Sequence, residues 1–464
     1  MDHFESTIAA PSTARGGAVA VVRVSGPEAL SCVDRIFRGK TSLAEAGGYS
    51  LHFGVIREAD GTLVDEVLVS VFRAPRSYTG ENAAEIACHG SDYIVSRILA
   101  LLLENGVKMA APGEFTQRAF LHGKMDLSQA EAVADLIAAQ TAAAHRIALK
   151  QLKGGFSEEL AGMRSELLQL ASLLELELDF SEEEVEFADR FALRDLVEKV
   201  LAHCRKLIES FRLGNAIKNG VPVAIVGNTN SGKSTLLNAL LGENRAIVSD
   251  IAGTTRDTIE ETCNLDGVLF RFIDTAGLRE SSDTIERIGI ERAYEKLSAA
   301  QLVLAMLDLR QPTEVLLASA RDIAARVTDE QQLVFLLNKA DAAPEAVDAA
   351  REALSPLLPG RRMFVISAKA GTGLDELRHA LSASWQQLDT AAETTLVTNT
   401  RHLEALQNAA AALSRVREGL SAAVPSDLVA QDLRESLYHL GSIVGEVSNN
   451  EILANIFSHF CIGK

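Results

Sequence analysis

Gly227-Asn228-Thr229-Asn230-Ser231-Gly232-Lys233-Ser234 fits the GxxxxGK[ST] pattern of a phosphate-binding loop. The apolar run VPVAIV (221–226) before it reads as a strand, and TLLNALL (235–241) after it reads as the start of a helix. The motif requires this strand, loop and helix order. Backbone N–H groups and the helix N-terminus would cradle phosphates. Lys233 would reach the β- and γ-phosphates, Ser234 would hold Mg²⁺, and Thr235 is a further GTP-binding candidate.

Three further motifs lie downstream. Asp274-Thr275-Ala276-Gly277 ends the run VLFRFI, which puts a carboxylate at a strand tip on the Mg²⁺ side and a glycine N–H near the γ-phosphate. Asn338-Lys339-Ala340-Asp341 follows LVFLL, and Asp341 can accept two hydrogen bonds from the N1 and N2 donors of guanine. Adenine lacks those donors and would leave the carboxylate unpaired, so GTP is the expected nucleotide. Ser367-Ala368-Lys369, after MFVI, offers a further backbone contact to the base edge. Four motifs in this order, each at a strand end, resemble the translation-factor-like GTPases.

Two details concern hydrolysis. Leu278 follows DTAG where many GTPases carry a water-orienting glutamine, and it cannot hold a water. Arg279, Glu280, Asp283 and Glu286 are the candidates to replace it, and no other pattern chooses among them. The segment Ser249-Asp250-Ile251-Ala252-Gly253-Thr254-Thr255-Arg256-Asp257 can fold over the nucleotide and offer Thr255 to Mg²⁺ as a catalytic aid. The Asn230 amide and carbonyls of that segment could bind a monovalent cation where other GTPases use an arginine finger, with Arg256 as the rival finger.

Outward from the loop, strand and helix alternate to about Ser384, as in a parallel sheet with helices on its faces. On either side the texture is helical: LSQAEAVADLIAAQTAAAHRIALKQL and ELAGMRSELLQLASLLELELDF before, Arg401–Leu420, Leu428–Leu440 and Asn449–Phe460 after. AVAVVRV (18–24) and VLVSVFR (67–73) read as strands of a first α/β domain. The expected fold is multidomain α/β plus all-α. It comprises an N-terminal α/β domain (1–122), the first half of a helical domain (123–216), an inserted P-loop GTPase domain (217–384) and the second helical half (385–464).

At 464 residues the chain exceeds one ordinary core. With 47% hydrophobic and 23% charged residues and no long apolar run, it reads as soluble, without a membrane span. Asp2 and Glu5 at a start lacking an apolar core argue against a secretory signal, so the expected location is the cytoplasm. Cys32, Cys88, Cys204, Cys263 and Cys461 are scattered without CxxC spacing and read as reduced thiols. A net charge of −18 means that any nucleic-acid role needs a local basic patch or a basic partner.

With SDIAGTTRD, DTAGLRESSDTIERIGIER and the terminal FCIGK in one chain, the sequence resembles over essentially its whole length the tRNA-modifying GTPases that act on the wobble uridine. The family pattern is unbroken at the GTPase motifs. The resemblance implies an N-terminal tetrahydrofolate-binding domain that forms a homodimer, a helical domain and an inserted G domain. It also implies an FAD-containing partner in a heterotetramer, tRNA as substrate with help from that partner, and addition of an aminomethyl or carboxymethylaminomethyl group at uridine C5.

By the same resemblance, 5-formyltetrahydrofolate or a related one-carbon folate contacts Arg23, Glu81, Lys124 and Lys464. Glu286 is selected from the four candidates as water orienter, and K⁺ is held by Asn230, Ser249, Ile251 and Thr254. Cys461 matches the family's C-terminal cysteine, proposed to lie near the modification chemistry; read from the residues alone it is equally a small buried residue of IFSHFCI. Two other functions are open at this level. A ribosome-assembly or stress GTPase acting by binding alone predicts an RNA-binding appendage such as a KH domain, and no GxxG loop of that kind is visible. A folate enzyme merely regulated by GTP predicts chemistry in residues 1–120 that does not need the G domain.

Overall fold

The structure is a computed structural model. It describes residues 6–179, 190–242, 261–273, 299–357, 359–385, 395–422, 424–447, 450–458, 460, 461 and 463. These fall into two compact units. One comprises Met1–Ala134, Gln151–Leu168 and Leu437–Lys464, the other Asp135–Lys150 and Gln169–Ser436.

The first unit is built on seven strands: β1 (Ile8–Pro11), β2 (Val19–Ser25), β3 (Phe37–Gly39), β4 (Ser50–Arg57), β5 (Leu63–Phe72), β6 (Ala83–His89) and β7 (Lys108–Met109). Their order is β3-β4-β5-β6-β2-β1-β7. Neighbours are antiparallel except β1 and β7. Period-two patterning fixes which face is covered, since Val67, Val69 and Val71 of β5 and Val22 and Val24 of β2 all bury on one side. The helices Ala29–Ile36 and Asp92–Glu104 supply Val33, Ile36, Ile98 and Leu102 to that same core.

A second cluster of this unit joins residues from opposite ends of the chain. Leu127 and Ala130, from the start of the helix Leu127–Ala138, pack with Leu453 and Phe457 of the helix Asn450–Ser458 and with Phe460. The long apolar run at 127–152 is broken in the structure into Leu127–Ala138 and Ala142–Leu152. The Thr141 hydroxyl accepts from the Ala144 N–H at 3.1 Å, so it caps the second helix and nucleates a fresh start.

The second unit holds a six-stranded sheet made of β8 (Val221–Gly227), β9 (Glu261–Leu265), β10 (Val268–Phe272), β11 (Leu302–Asp308), β12 (Gln332–Asn338) and β13 (Arg362–Val365). The order is β13-β12-β11-β8-β10-β9, parallel except for the β9–β10 hairpin. β11 is buried on both faces, which is why its sequence LVLAMLD shows no polar alternation before its last residue. Leu302, Leu304 and Met306 enter one apolar cluster with Leu236, Leu240 and Leu377; Val303, Ala305 and Leu307 enter another with Leu316, Ala320 and Leu354.

The helices Arg190–Asn219 and Thr400–Ser421, one on each side of this sheet in sequence, pack against each other. The Val397 N–H donates to the Ser210 hydroxyl at 3.1 Å, and a Cβ at Gly214 would lie 2.3 Å from the Val397 carbonyl oxygen. Glycine there lets the returning chain lie against the outgoing helix. No helix among the described residues is long and apolar enough to cross a membrane.

Candidate nucleotide site

The loop Asn228–Gly232 leaves the end of β8 and turns into the helix Lys233–Leu241. Two glycines make that turn possible. A Cβ at Gly227 (φ +153°) would meet the Met306 carbonyl oxygen at 2.4 Å, and one at Gly232 (φ +102°) would meet Asn338 Nδ2 at 2.3 Å. The Lys233 ammonium arches back over the loop and donates to the carbonyls of Gly227 (2.9 Å) and Asn228 (3.0 Å). Burial holds its pKa below the usual lysine value. Neighbouring Ser231 is 1% exposed and its hydroxyl has no hydrogen-bond partner. A concave loop with a cation above it and an orphaned hydroxyl within it is chemically suited to a polyphosphate. Ser234 lies in the first turn of the helix and Thr235 is exposed beside it.

Asn338, the last residue of β12, is 2% exposed and uses both ends of its amide. Nδ2 donates to the Ser231 carbonyl at 2.8 Å, and Oδ1 accepts from the Ala368 N–H at 2.9 Å. The loop after β8 and the loop around Ala368 are thereby held at a fixed spacing. Lys339 follows with φ +67° and donates from Nζ to the Asn230 carbonyl (2.5 Å) and to Asp308 Oδ2 (2.7 Å). Asp341 is exposed in the next turn, and Ser367 and Ala368 are buried with Lys369 exposed after them. The structure therefore brings Asn230, Ser231, Gly232, Lys233, Asn338, Lys339, Ser367 and Ala368 into one hydrogen-bonded frame. Ser249 to Thr255, Asp274 to Gly277 and Glu286 lie outside the described residues, as does Lys464.

The residues expected to contact folate lie in the first unit. Arg23 pairs with Glu85 at 2.9 Å, sits over the rings of Tyr78 and Phe115, and donates to the Gly463 carbonyl at 3.5 Å. Glu81 accepts from Arg118 (3.0 Å) and from the Ser25 hydroxyl (2.7 Å). Lys124 donates to the Pro75 carbonyl at 3.1 Å and packs over Gly80, next to Glu81. Cys461 is half-buried, and its carbonyl accepts from the Gly113 N–H at 3.4 Å.

Comparison with known proteins adds two family models. One, described as the MnmE helical domain, matches residues 127–461, and one described as the N-terminus of the GTP-binding protein TrmE matches residues 7–124. Relatives named tRNA modification GTPase MnmE from Bacteroides thetaiotaomicron and Parabacteroides distasonis are each 52% identical. Each alignment covers 99% of this chain and all of the relative. This chain belongs to the MnmE family of tRNA modification GTPases. A crystal structure of Era with MgGDPNP and nucleotides of 16S ribosomal RNA is 29% identical over 36% of this chain and 56% of that one, with a TM-score of 0.27.

In this MnmE-family member two residues that the sequence motifs pass over stand behind the ones they mark. Asp308 ends β11 and holds Lys339; its only trace in sequence is an acid closing an otherwise apolar run. Arg118 is 0% exposed and bridges Glu81 and Glu114, and no local pattern marks an arginine for complete burial.

Proposed function

We propose that the chain is a K⁺-activated GTPase that, with an FAD-containing partner and a one-carbon folate, adds an aminomethyl or carboxymethylaminomethyl group to C5 of the wobble uridine of tRNA. The supporting observation is a GTP-site frame joined by Asn338, in a chain alike from end to end to relatives named tRNA modification GTPase. The family model described as the TrmE N-terminus, together with the contact of Arg23 with Gly463 near the C-terminus, supports reading the first domain as the folate-binding and dimerising one. The four segments 1–122, 123–216, 217–384 and 385–464 are proposed as its domain plan, the cytoplasm as its location, and a homodimer joined to the partner in a heterotetramer as its working form.

In this reading Lys233 and the loop N–H groups hold the phosphates, and Asp341 selects guanine through its paired donors. Ser234 and Thr255 are the Mg²⁺ ligands, while Asn230, Ser249, Ile251 and Thr254 hold K⁺. Glu286 orients the attacking water, and Cys461 stands near the modification chemistry. Bound folate would supply the one-carbon unit, and Arg23, Glu81, Lys124 and Lys464 would orient it. The test is a comparison of wobble-uridine nucleosides in cells with and without the gene. Loss of the C5 substituent, restored by the parent chain and not by one altered at Lys233, is the expected result. An unchanged nucleoside profile would overturn the assignment.

A further inference from the structure

Among the described residues four non-glycine positions have φ in the left-handed region: Tyr49, Asn230, Asp266 and Lys339. Two of them meet at the nucleotide site, where the Lys339 ammonium donates to the Asn230 carbonyl at 2.5 Å. Side chains with a Cβ occupy this backbone region sparsely, and they persist there only where neighbouring contacts hold them. The contact that holds Lys339 is a carboxylate: Asp308 Oδ2 accepts from its Nζ at 2.7 Å.

Asp308 is itself well fixed. It is 6% exposed at the end of a fully buried strand. Oδ1 accepts from the Arg310 N–H and Nε at 3.1 Å, and Oδ2 accepts from Arg310 Nη2 at 2.8 Å. Arg310 thus engages both carboxylate oxygens, and Oδ2 is shared with Lys339. Burial pushes the Asp308 pKa up, but the hydrogen bonds from Arg310 and Lys339 outweigh it and hold the carboxyl at about 2. The group is therefore a fixed anion at neutral pH, and charge-assisted hydrogen bonds of this kind are the strong ones.

We propose that Asp308 is a positioning residue that sets nucleotide retention and cation dependence at the GTP site, acting through Lys339 on the backbone of Asn230. The chain of contacts is Asp308 carboxylate, Lys339 ammonium, Asn230 carbonyl. It links the loop that reads the base to the loop that carries the Asn230 side chain, which is exposed at the mouth of the site. Without the anion, Lys339 has one fixed acceptor fewer and the Asn230 backbone loses the restraint on its left-handed turn. The cation part rests on the reading of Asn230 as a K⁺ ligand.

The test uses the full-length chain with Asp308→Asn, which keeps the shape and removes the charge, then Lys339→Ala and the double variant. For each, GDP release is followed with a fluorescent GDP analogue, and hydrolysis is followed as KCl is raised. Asp308→Asn is expected to speed release and to raise the KCl concentration for half-maximal hydrolysis, each by about 3–10-fold, with the rate at saturating KCl nearly parental. In the Lys339→Ala background the same change should add less than about twofold, because residues acting in series are not additive. Parental values for Asp308→Asn or for Lys339→Ala overturn the proposal, as does full additivity. A parent enzyme equally active in KCl and NaCl removes the cation reading of Asn230, and the release-rate cycle then decides by itself whether Asp308 acts through Lys339.

Discussion

Asn338 and Ser231, far apart in sequence, are joined by a 2.8 Å hydrogen bond from the asparagine amide to the serine carbonyl, and the other end of the same amide takes the Ala368 N–H. One buried side chain thus spaces the two loops of the proposed nucleotide site. Asn338→Asp removes the donor and sets a carboxylate against a carbonyl oxygen. Leaving such a group unpaired costs about 1–3 kcal/mol, so GTP affinity should fall by about 10–100-fold in a nucleotide titration. A parental affinity would show that the loops are spaced by something else.

Gly232→Ala is expected to be more damaging than its size suggests. The new methyl group would lie 2.3 Å from Asn338 Nδ2, on a backbone with φ +102° that alanine rarely adopts. Nucleotide binding by titration should be lost or weakened by at least about 100-fold, while the fold of the helical segments, followed by far-UV circular dichroism, stays parental.

For Asp341→Asn the expected outcome is a change of preference. The amide can donate where the carboxylate only accepts, so guanine loses a partner and xanthine, with an added acceptor, gains one. Competition between GTP and xanthosine triphosphate reads this directly, and an unchanged order of preference would remove Asp341 as the base reader.

Glu286→Ala should reduce single-turnover hydrolysis by about 10²–10³-fold, the usual scale for a positioned acid or base, with GTP affinity nearly intact. Alanine variants of Glu280 and Asp283 provide the comparison, all in KCl. Replacing KCl by NaCl should slow the parent, since the proposed cage suits the larger ion. A Glu286 variant that hydrolyses like the parent, or that fails to bind GTP, would falsify the role.

Arg118→Met tests the first unit. Arg118 is fully buried between Glu81 (3.0 Å) and Glu114 (2.8 Å), so removing it leaves two largely buried carboxylates without their cation. Breaking such a set costs about 3–5 kcal/mol, and chemical denaturation should show it. GTP affinity, which the proposed site places in the other unit, should not move.

The sheet of the second unit was legible because its strands announce themselves at both ends. Each buried run stops at a residue of distinct chemistry, Gly227 at the end of β8 and Asn338 at the end of β12, and the motif supplies the direction of travel. In the first unit AVAVVRV and VLVSVFR match β2 and most of β5, but β5 begins earlier, at Leu63, where Asp65 and Glu66 hide the alternation. The partners of the site residues were not legible. Asp308 meets Lys339 across neighbouring strands, and Arg118 meets Glu81 from a separate helix, so both pairings depend on three-dimensional register. The break at Thr141 was hidden for a different reason: alanine-rich sequence favours helix on both sides, and a single capping hydroxyl decides where it restarts.

The cluster of Leu127 and Ala130 with Leu453, Phe457 and Phe460 has a consequence for biosynthesis. A ribosome emits the first strands and the helix from Leu127 long before Leu453 exists, and the whole stretch from Gln169 to Ser436 of the other unit emerges in between. The nucleotide-binding sheet can therefore close while the earlier-made unit still shows bare apolar surface. For that interval, at roughly 5–20 residues per second, the nascent N-terminal part carries uncovered apolar surface of the kind that makes folding intermediates prone to aggregate.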